Sequence, residues 1–108
     1  MNEADALAAF SSISSATRLR MLKCLVEAGQ AGLPAGEIAE AVGATPSRTS
    51  FHLANLAEAG LITSARHSRQ ILYSVDFTAI GALVRYLLQD CCKNNETVRA
   101  CCLPGKGC

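Results

Sequence analysis

At 108 residues, with 50% apolar and 18% charged side chains, the chain has the composition of one globular domain with a single modest core. No apolar run reaches the length of a membrane span, and the acidic start Met1-Asn2-Glu3-Ala4-Asp5 is unlike a signal peptide, so a cytoplasmic protein with no membrane partner is expected. A net charge of +1 gives no general sign of nucleic-acid binding, although positions 45–73 hold Arg48, Arg66 and Arg69 against Glu58 alone.

Residues 3–10 form an Ala-rich helix candidate with Ala4, Leu7 and Phe10 on one side, broken by the serine cluster Ser11-Ser12-Ile13-Ser14-Ser15. Ser15 is a natural N-cap for a second helix, Ala16 to Ala28, whose inner face is read as Leu19, Leu22, Cys24, Leu25 and Val26 and which closes at Gly29. Gln30 to Pro34 is a connector. A short helix from Ala35 to Val42, with Ile38, Ala39 and Val42 inward, ends at Gly43. Thr45-Pro46 then places an N-cap and a first-turn proline ahead of a helix running to Ala59, striped by Thr49, Leu53, Leu56 and Ala57. Its N-terminal end leaves Ser47, Arg48, Ser50 and Phe51 outward or sideways. Two short helices joined by Gly43-Ala44-Thr45 have the shape of a helix-turn-helix.

Two strand candidates, Leu61 to Arg66 and Gln70 to Val75, flank His67-Ser68-Arg69 and make a β-hairpin, which after a helix-turn-helix is a wing. From Phe77 to Asp90, Ile80, Leu83, Val84, Leu87 and Leu88 recur at the spacing of an amphipathic helix. Leu103 to Cys108 reads as a flexible tail.

Cysteine usage is the unusual feature. Cys91, Cys92, Cys101, Cys102 and Cys108, five of the six, lie in the last 18 residues, whereas disulfides that staple a secreted fold are spread along it. Clustered cysteines in a reducing compartment read as metal ligands or redox thiols. Cys24 faces inward on the second helix and reads as a small core hydrophobe.

The order of elements resembles the ArsR/SmtB family of metal-sensing repressors. The resemblance is carried by Ala16-Thr17-Arg18-Leu19-Arg20-Met21-Leu22, by Glu37-Ile38-Ala39, by the run from Ser50 to Ile62 and by Tyr73-Ser74-Val75, and it spans about residues 5–90. It implies a mainly α winged helix-turn-helix with a small β-hairpin, dimerising through its first and last helices. Residues 1–92 would be the DNA-binding and dimerisation domain, and residues 93–108 a cysteine-rich tail contributing to an inducer site. The third helix lacks the cysteine box of the founding arsenic sensors, the last helix lacks the histidines of zinc and nickel sensors, and the recognition helix lacks the cysteines of a cadmium/lead class. What matches is a variant with vicinal cysteines at the end of the last helix and more beyond, typically sensing arsenite or antimonite. Cys91-Cys92 and Cys101-Cys102 resemble that pattern.

A DNA-binding, non-enzymatic repressor follows as the expectation, with an inverted-repeat operator bound by a homodimer. Free N–H groups at a helix N-terminus suit phosphate, and Ser47, Arg48 and Ser50 sit at one, with Arg48 the best candidate for reading guanine. By resemblance His52 follows as a DNA contact, its alternative being a structural hydrogen bond near the hairpin. Arg66, His67 and Arg69 in the wing should approach phosphate or the minor groove. The inducer is trivalent arsenic or antimony held by three thiolates, with no organic cofactor. Cys91 and Cys92 converge only if their helix is ending, for which Asn94-Asn95 is suited. Residues 93–100 are then a loop returning either Cys101 or Cys102, from the same subunit or from the partner, with Cys108 a spare. A thiol redox or persulfide sensor pairing Cys24 with Cys91 or Cys92, and a structural zinc site of four cysteines, are the alternatives. A thiol oxidoreductase lacks its C-x-x-C motif and βαβ context.

Overall fold

The computed structural model describes residues 1–102. Helix α1 spans Glu3–Ile13 and opens with a capping box, in which Asn2 Oδ1 accepts from Asp5 N at 2.7 Å and Asp5 Oδ2 accepts from Asn2 N at 3.3 Å. The helix ends at Ile13, inside the serine cluster expected to break it, but takes in Ser11 and Ser12. Ser12 is buried and its hydroxyl donates to Asn55 Oδ1 at 2.8 Å, so it has no reason to compete for backbone. The fully buried face is Ala6, Ala9 and Ser12, with Phe10 partly buried against the core, while Ala4 and Leu7 are exposed. Small side chains let α1 approach its neighbours closely, and Leu7 is left 60% exposed.

Helix α2 spans Ala16–Ala28, capped by Ser15 as expected, and buries Met21, Leu22 and Leu25. Leu19 and Val26, read as inward from the sequence, lie outside. A 3₁₀ turn, Gly29–Ala31, leads not into a plain connector but into a two-residue strand, β1, Leu33–Pro34. Gly32 is what permits this. Its φ is +75°, and a Cβ there would meet Tyr73 O at 2.5 Å.

Helices α3 (Ala35–Val42) and α4 (Pro46–Glu58) enclose the turn Gly43-Ala44-Thr45. Gly43 takes the left-handed conformation, and Ala44 N donates to Ala39 O at 3.0 Å, closing the end of α3. Strands β2 (Ile62–His67) and β3 (Gln70–Val75) pair antiparallel from Ile62 opposite Val75 to His67 opposite Gln70. β1 adds to the other edge of β3, with Leu33 opposite Tyr73, so the wing is part of a three-stranded sheet ordered β1-β3-β2. Met21, Leu25, Ile38, Leu53, Leu56 and Leu61 form the centre of the core, joined by Ile62, Val75 and Leu83.

Asp76 caps α5 (Phe77–Arg85) through Ala79 N at 3.1 Å. The last helix does not stay α: Tyr86–Cys91 is a π-helical segment, and Cys92 N donates to Leu87 O, five residues back, at 2.9 Å. Of its expected stripe only Leu83 is buried, while Val84 and Leu87 are exposed. Residues expected as a loop instead form helix α6, Glu96–Cys102. The expectations for Leu103 to Cys108 lie outside the described residues. Among the described residues no helix is long and apolar enough to cross a membrane.

Candidate nucleic-acid interface and thiol site

The N-terminal turn of α4 is built to project side chains. Thr45 Oγ1 accepts from Arg48 N at 3.3 Å, and Pro46 occupies a first-turn position where a missing N–H costs no helical bond. Thr49, Leu53 and Leu56 are buried, which holds the opposite side of the helix in solvent. Ser47, Arg48 and Ser50 are all exposed there, as the sequence led one to expect. Phe51, beside them, is 66% exposed.

His52 is half-buried, and its partner is not near the hairpin. Arg18 Nη1 lies 3.1 Å from His52 Nδ1, while Arg18 Nε donates to Ser12 O at 2.6 Å. A guanidinium only donates, so Nδ1 accepts and the neutral ring carries its proton on Nε2. Burial, then the charges of Arg18 and Arg48, hold the His52 pKa below its ordinary value. One residue on α2 thus ties the end of α1 to α4, alongside the Ser12–Asn55 bond. Sequence reasoning assigned Arg18 no role. Its only signal was its place in the Ala16–Leu22 stretch, since a contact spanning 34 residues leaves no local spacing to read.

In the wing, Arg66, His67 and Arg69 are exposed around the β2–β3 turn, where Ser68 takes a φ of +58°. The tight turn places the three polar side chains at one end of the hairpin, away from the core.

The thiols gather at the other helix terminus. Cys91 closes the π-helical segment and Cys92 caps it, after which Lys93 (φ +51°) and Asn94 (φ +58°) reverse the chain. Asn95 Oδ1 then accepts from Thr97 N at 2.9 Å and Val98 N at 3.3 Å, starting α6. Cys102, on that helix, acts electrostatically on Cys92, which also feels its neighbour Cys91. Burial, then the neighbouring Cys91 thiol and the charge of Cys102, push the Cys92 thiol up. Cys91, Cys92 and Cys102 are free thiols, whereas Cys101 is disulfide-bonded. Among the described residues no group of three or more His, Cys, Asp or Glu side chains is close enough to hold a metal ion, so the cysteines are neighbours without a finished ligand triangle. Cys24 is also a free thiol, half-buried on α2; burial, then Glu27, raise its pKa.

A family model described as a helix-turn-helix domain matches residues 13–65. Over 83 residues the chain is 37% identical to the HTH-type transcriptional regulator YgaV of Escherichia coli, covering 77% of this chain and 82% of that protein. The chain belongs to the ArsR/SmtB family of transcriptional regulators. It is a DNA-binding regulator and not an enzyme. Among solved structures, an ArsR-like transcriptional regulator from a Rhodococcus species superposes with a TM-score of 0.75 at 24% identity, covering 90% of this chain and 89% of the other. Reduced HlyU from Vibrio cholerae gives a TM-score of 0.64 at 25% identity, over 84% and 93% of the respective chains. The winged helix-turn-helix expected from the sequence is therefore the fold of this regulator.

Proposed function

We propose that this regulator is a homodimeric repressor that releases operator DNA when trivalent arsenic or antimony is captured by Cys91, Cys92 and Cys102. The observation that carries the reading is the placement of Cys91 and Cys92 together at the end of the π-helical segment, with the turn at Lys93 and Asn94 leading into the helix that bears Cys102. Three soft thiolates suit a soft, pyramidal ion. Arsenous acid would exchange its hydroxyls for cysteine sulfurs one by one, each thiol proton leaving with a hydroxyl as water and no oxidation state changing. In this reading Cys102 on α6 supplies the third thiolate, and residues 93–108 act as the inducer-capturing tail of a body formed by residues 1–92. The cytoplasm keeps such thiols reduced.

The DNA-binding half of the proposal assigns Ser47, Arg48, Ser50 and His52 to the major groove and Arg66, His67 and Arg69 to phosphate or the minor groove. Dimerisation has its support in exposed apolar side chains on the first and last helices: Leu7 is 60% exposed, Val84 47% and Leu87 39%. Two subunits related by a dyad require an inverted-repeat operator. The inducer site lies at the end of the helix proposed to form that interface. Closing it shifts the spacing of the two α4 helices, and a coupling of ~1–3 kcal/mol per site is the ordinary scale of such linkage.

Operator-binding titrations with arsenite, antimonite and zinc test this. Cys91→Ser/Cys92→Ser and Cys102→Ser are expected to bind DNA and dimerise normally but to ignore the metalloids. A variant still released by arsenite at the wild-type concentration would overturn the site, and one unable to bind DNA would indicate structural zinc.

One observation favours a second reading, the disulfide at Cys101. In it, two-electron oxidation of a cysteine pair, rather than a metalloid, releases the operator. Release by peroxide with no metalloid present, abolished in Cys101→Ser, would establish that reading over the first.

A further inference from the structure

We infer that Phe51 reads the C5-methyl group of a thymine in the operator, and so sets a T·A preference at one position of each half-site. Leaving a phenyl ring in water forgoes the gain that burial would bring, and Phe51 is 66% exposed, more than Leu7 at 60%. Its direction is set by the helix. Successive residues turn by about 100°, so Phe51 stands about 200° from Thr49, nearly opposite the buried stripe of Thr49, Leu53 and Leu56. Ser47 and Arg48 precede it by four and three residues and share its face one turn nearer the N-terminus. Whatever Ser47 and Arg48 face, Phe51 faces as well.

The ring is also held in place. It meets the His52 imidazole edge to face, with centroids 5.5 Å apart and planes at 65°. His52 is in turn anchored by Arg18 at 3.1 Å. Phe51 is therefore a braced apolar projection at the centre of the outward face of α4.

The chemistry of the groove selects its partner. A phenyl ring can neither donate to phosphate nor pair with the acceptors and amino groups along the base edges. The apolar group displayed in the major groove is the thymine methyl. Burying one methyl group contributes a factor of about four in affinity, or roughly fifteen for two half-sites bound together. The inference rests on α4 entering the major groove and is independent of the inducer.

The test uses the full-length wild-type protein to select a dyad duplex from a random library, then replaces each thymine symmetrically by deoxyuridine, which removes only the methyl. At one position per half-site the exchange should weaken wild type roughly fifteenfold and leave Phe51→Ala unchanged. Phe51→Ala itself should lose at least that factor on the thymine duplex and select duplexes without a preference there. Circular dichroism and the oligomeric state should match wild type, because the side chain lies outside the core. Arg48→Ala should weaken the same duplex while keeping its sensitivity to deoxyuridine. If Arg48→Ala loses affinity but every deoxyuridine exchange affects wild type and Phe51→Ala equally, this inference fails alone. If neither variant loses affinity, the docking of α4 fails with it. Equal loss by Phe51→Ala on the selected and on random duplexes would likewise overturn base reading.

Discussion

Arg18→Ala removes a side chain that bonds both to the last turn of α1 and to α4, through Ser12 O at 2.6 Å and His52 Nδ1 at 3.1 Å. Hydrogen bonds from a charged donor are worth about 1.5–3 kcal/mol each when buried. Arg18 is half-buried, and solvent screening reduces the pair to a combined loss of about 2 kcal/mol. For a domain of this size that lowers Tm by about 10 °C, measured by thermal unfolding at fixed protein concentration. The pH dependence supplies a second readout. Because the His52 pKa is depressed in the folded state, by burial first and then by Arg18 and Arg48, the unfolded chain takes up a proton before the folded one does. Its contribution is complete above about pH 6.5 and is lost as the pH falls through the lower folded value. Removing Arg18 takes away one of those causes, so the acid-side loss should become shallower. Stability within about 0.5 kcal/mol of wild type, with an unchanged acid slope, would refute the bracing role.

Thr49 is 1% exposed and its Oγ1 has no hydrogen-bond partner, so Thr49→Val should stabilise the fold by about 1 kcal/mol; a lower urea midpoint would contradict this. Gly32→Ala puts a Cβ 2.5 Å from Tyr73 O at a φ of +75° and should cost about 2 kcal/mol in urea unfolding, while the same change at Gly36, where a Cβ meets nothing within 4 Å, should not. Cys24→Ser should leave arsenite-induced release intact. Its thiolate is disfavoured by burial and by Glu27, so alkylation of Cys24 in wild type should lag behind a free cysteine in solution, and rapid labelling would argue against that setting.

The order of elements from α1 to α5, β1 apart, was legible in the chain because most carry their own punctuation. Ser15, Thr45 and Asp76 accept from the N–H three residues on, and Gly29 and Gly43 end α2 and α3. Apolar spacing marks the strands of the wing, and the exposed side chains of Ser47, Arg48, Ser50, Arg66, His67 and Arg69 fall where local pattern puts them. The clustering of cysteines was visible as composition. These are all local properties, read within a few residues.

Which face each helix buries was decided elsewhere. α1 offers Leu7 and Phe10 on one side and Ala6, Ala9 and Ser12 on another, and periodicity favours the larger apolar residues. Close approach of the helices, with Asn55 waiting to accept from Ser12, selects the small ones. In the same way β1 exists only because β3 offers Leu33 and Pro34 a free edge. The Arg18 guanidinium finds Ser12 and His52 across helix boundaries, and Cys102 reaches Cys92 only after Lys93 and Asn94 turn the chain back. The sequence by itself determined the helix-turn-helix, the wing and the capped starts of α2, α4 and α5, because caps, glycines and hydrophobic spacing act over a turn or two. Tertiary structure alone decided the buried faces, the third strand and the partners of Arg18, His52 and Cys92, because those depend on which distant groups compete for the same space and the same hydrogen bonds.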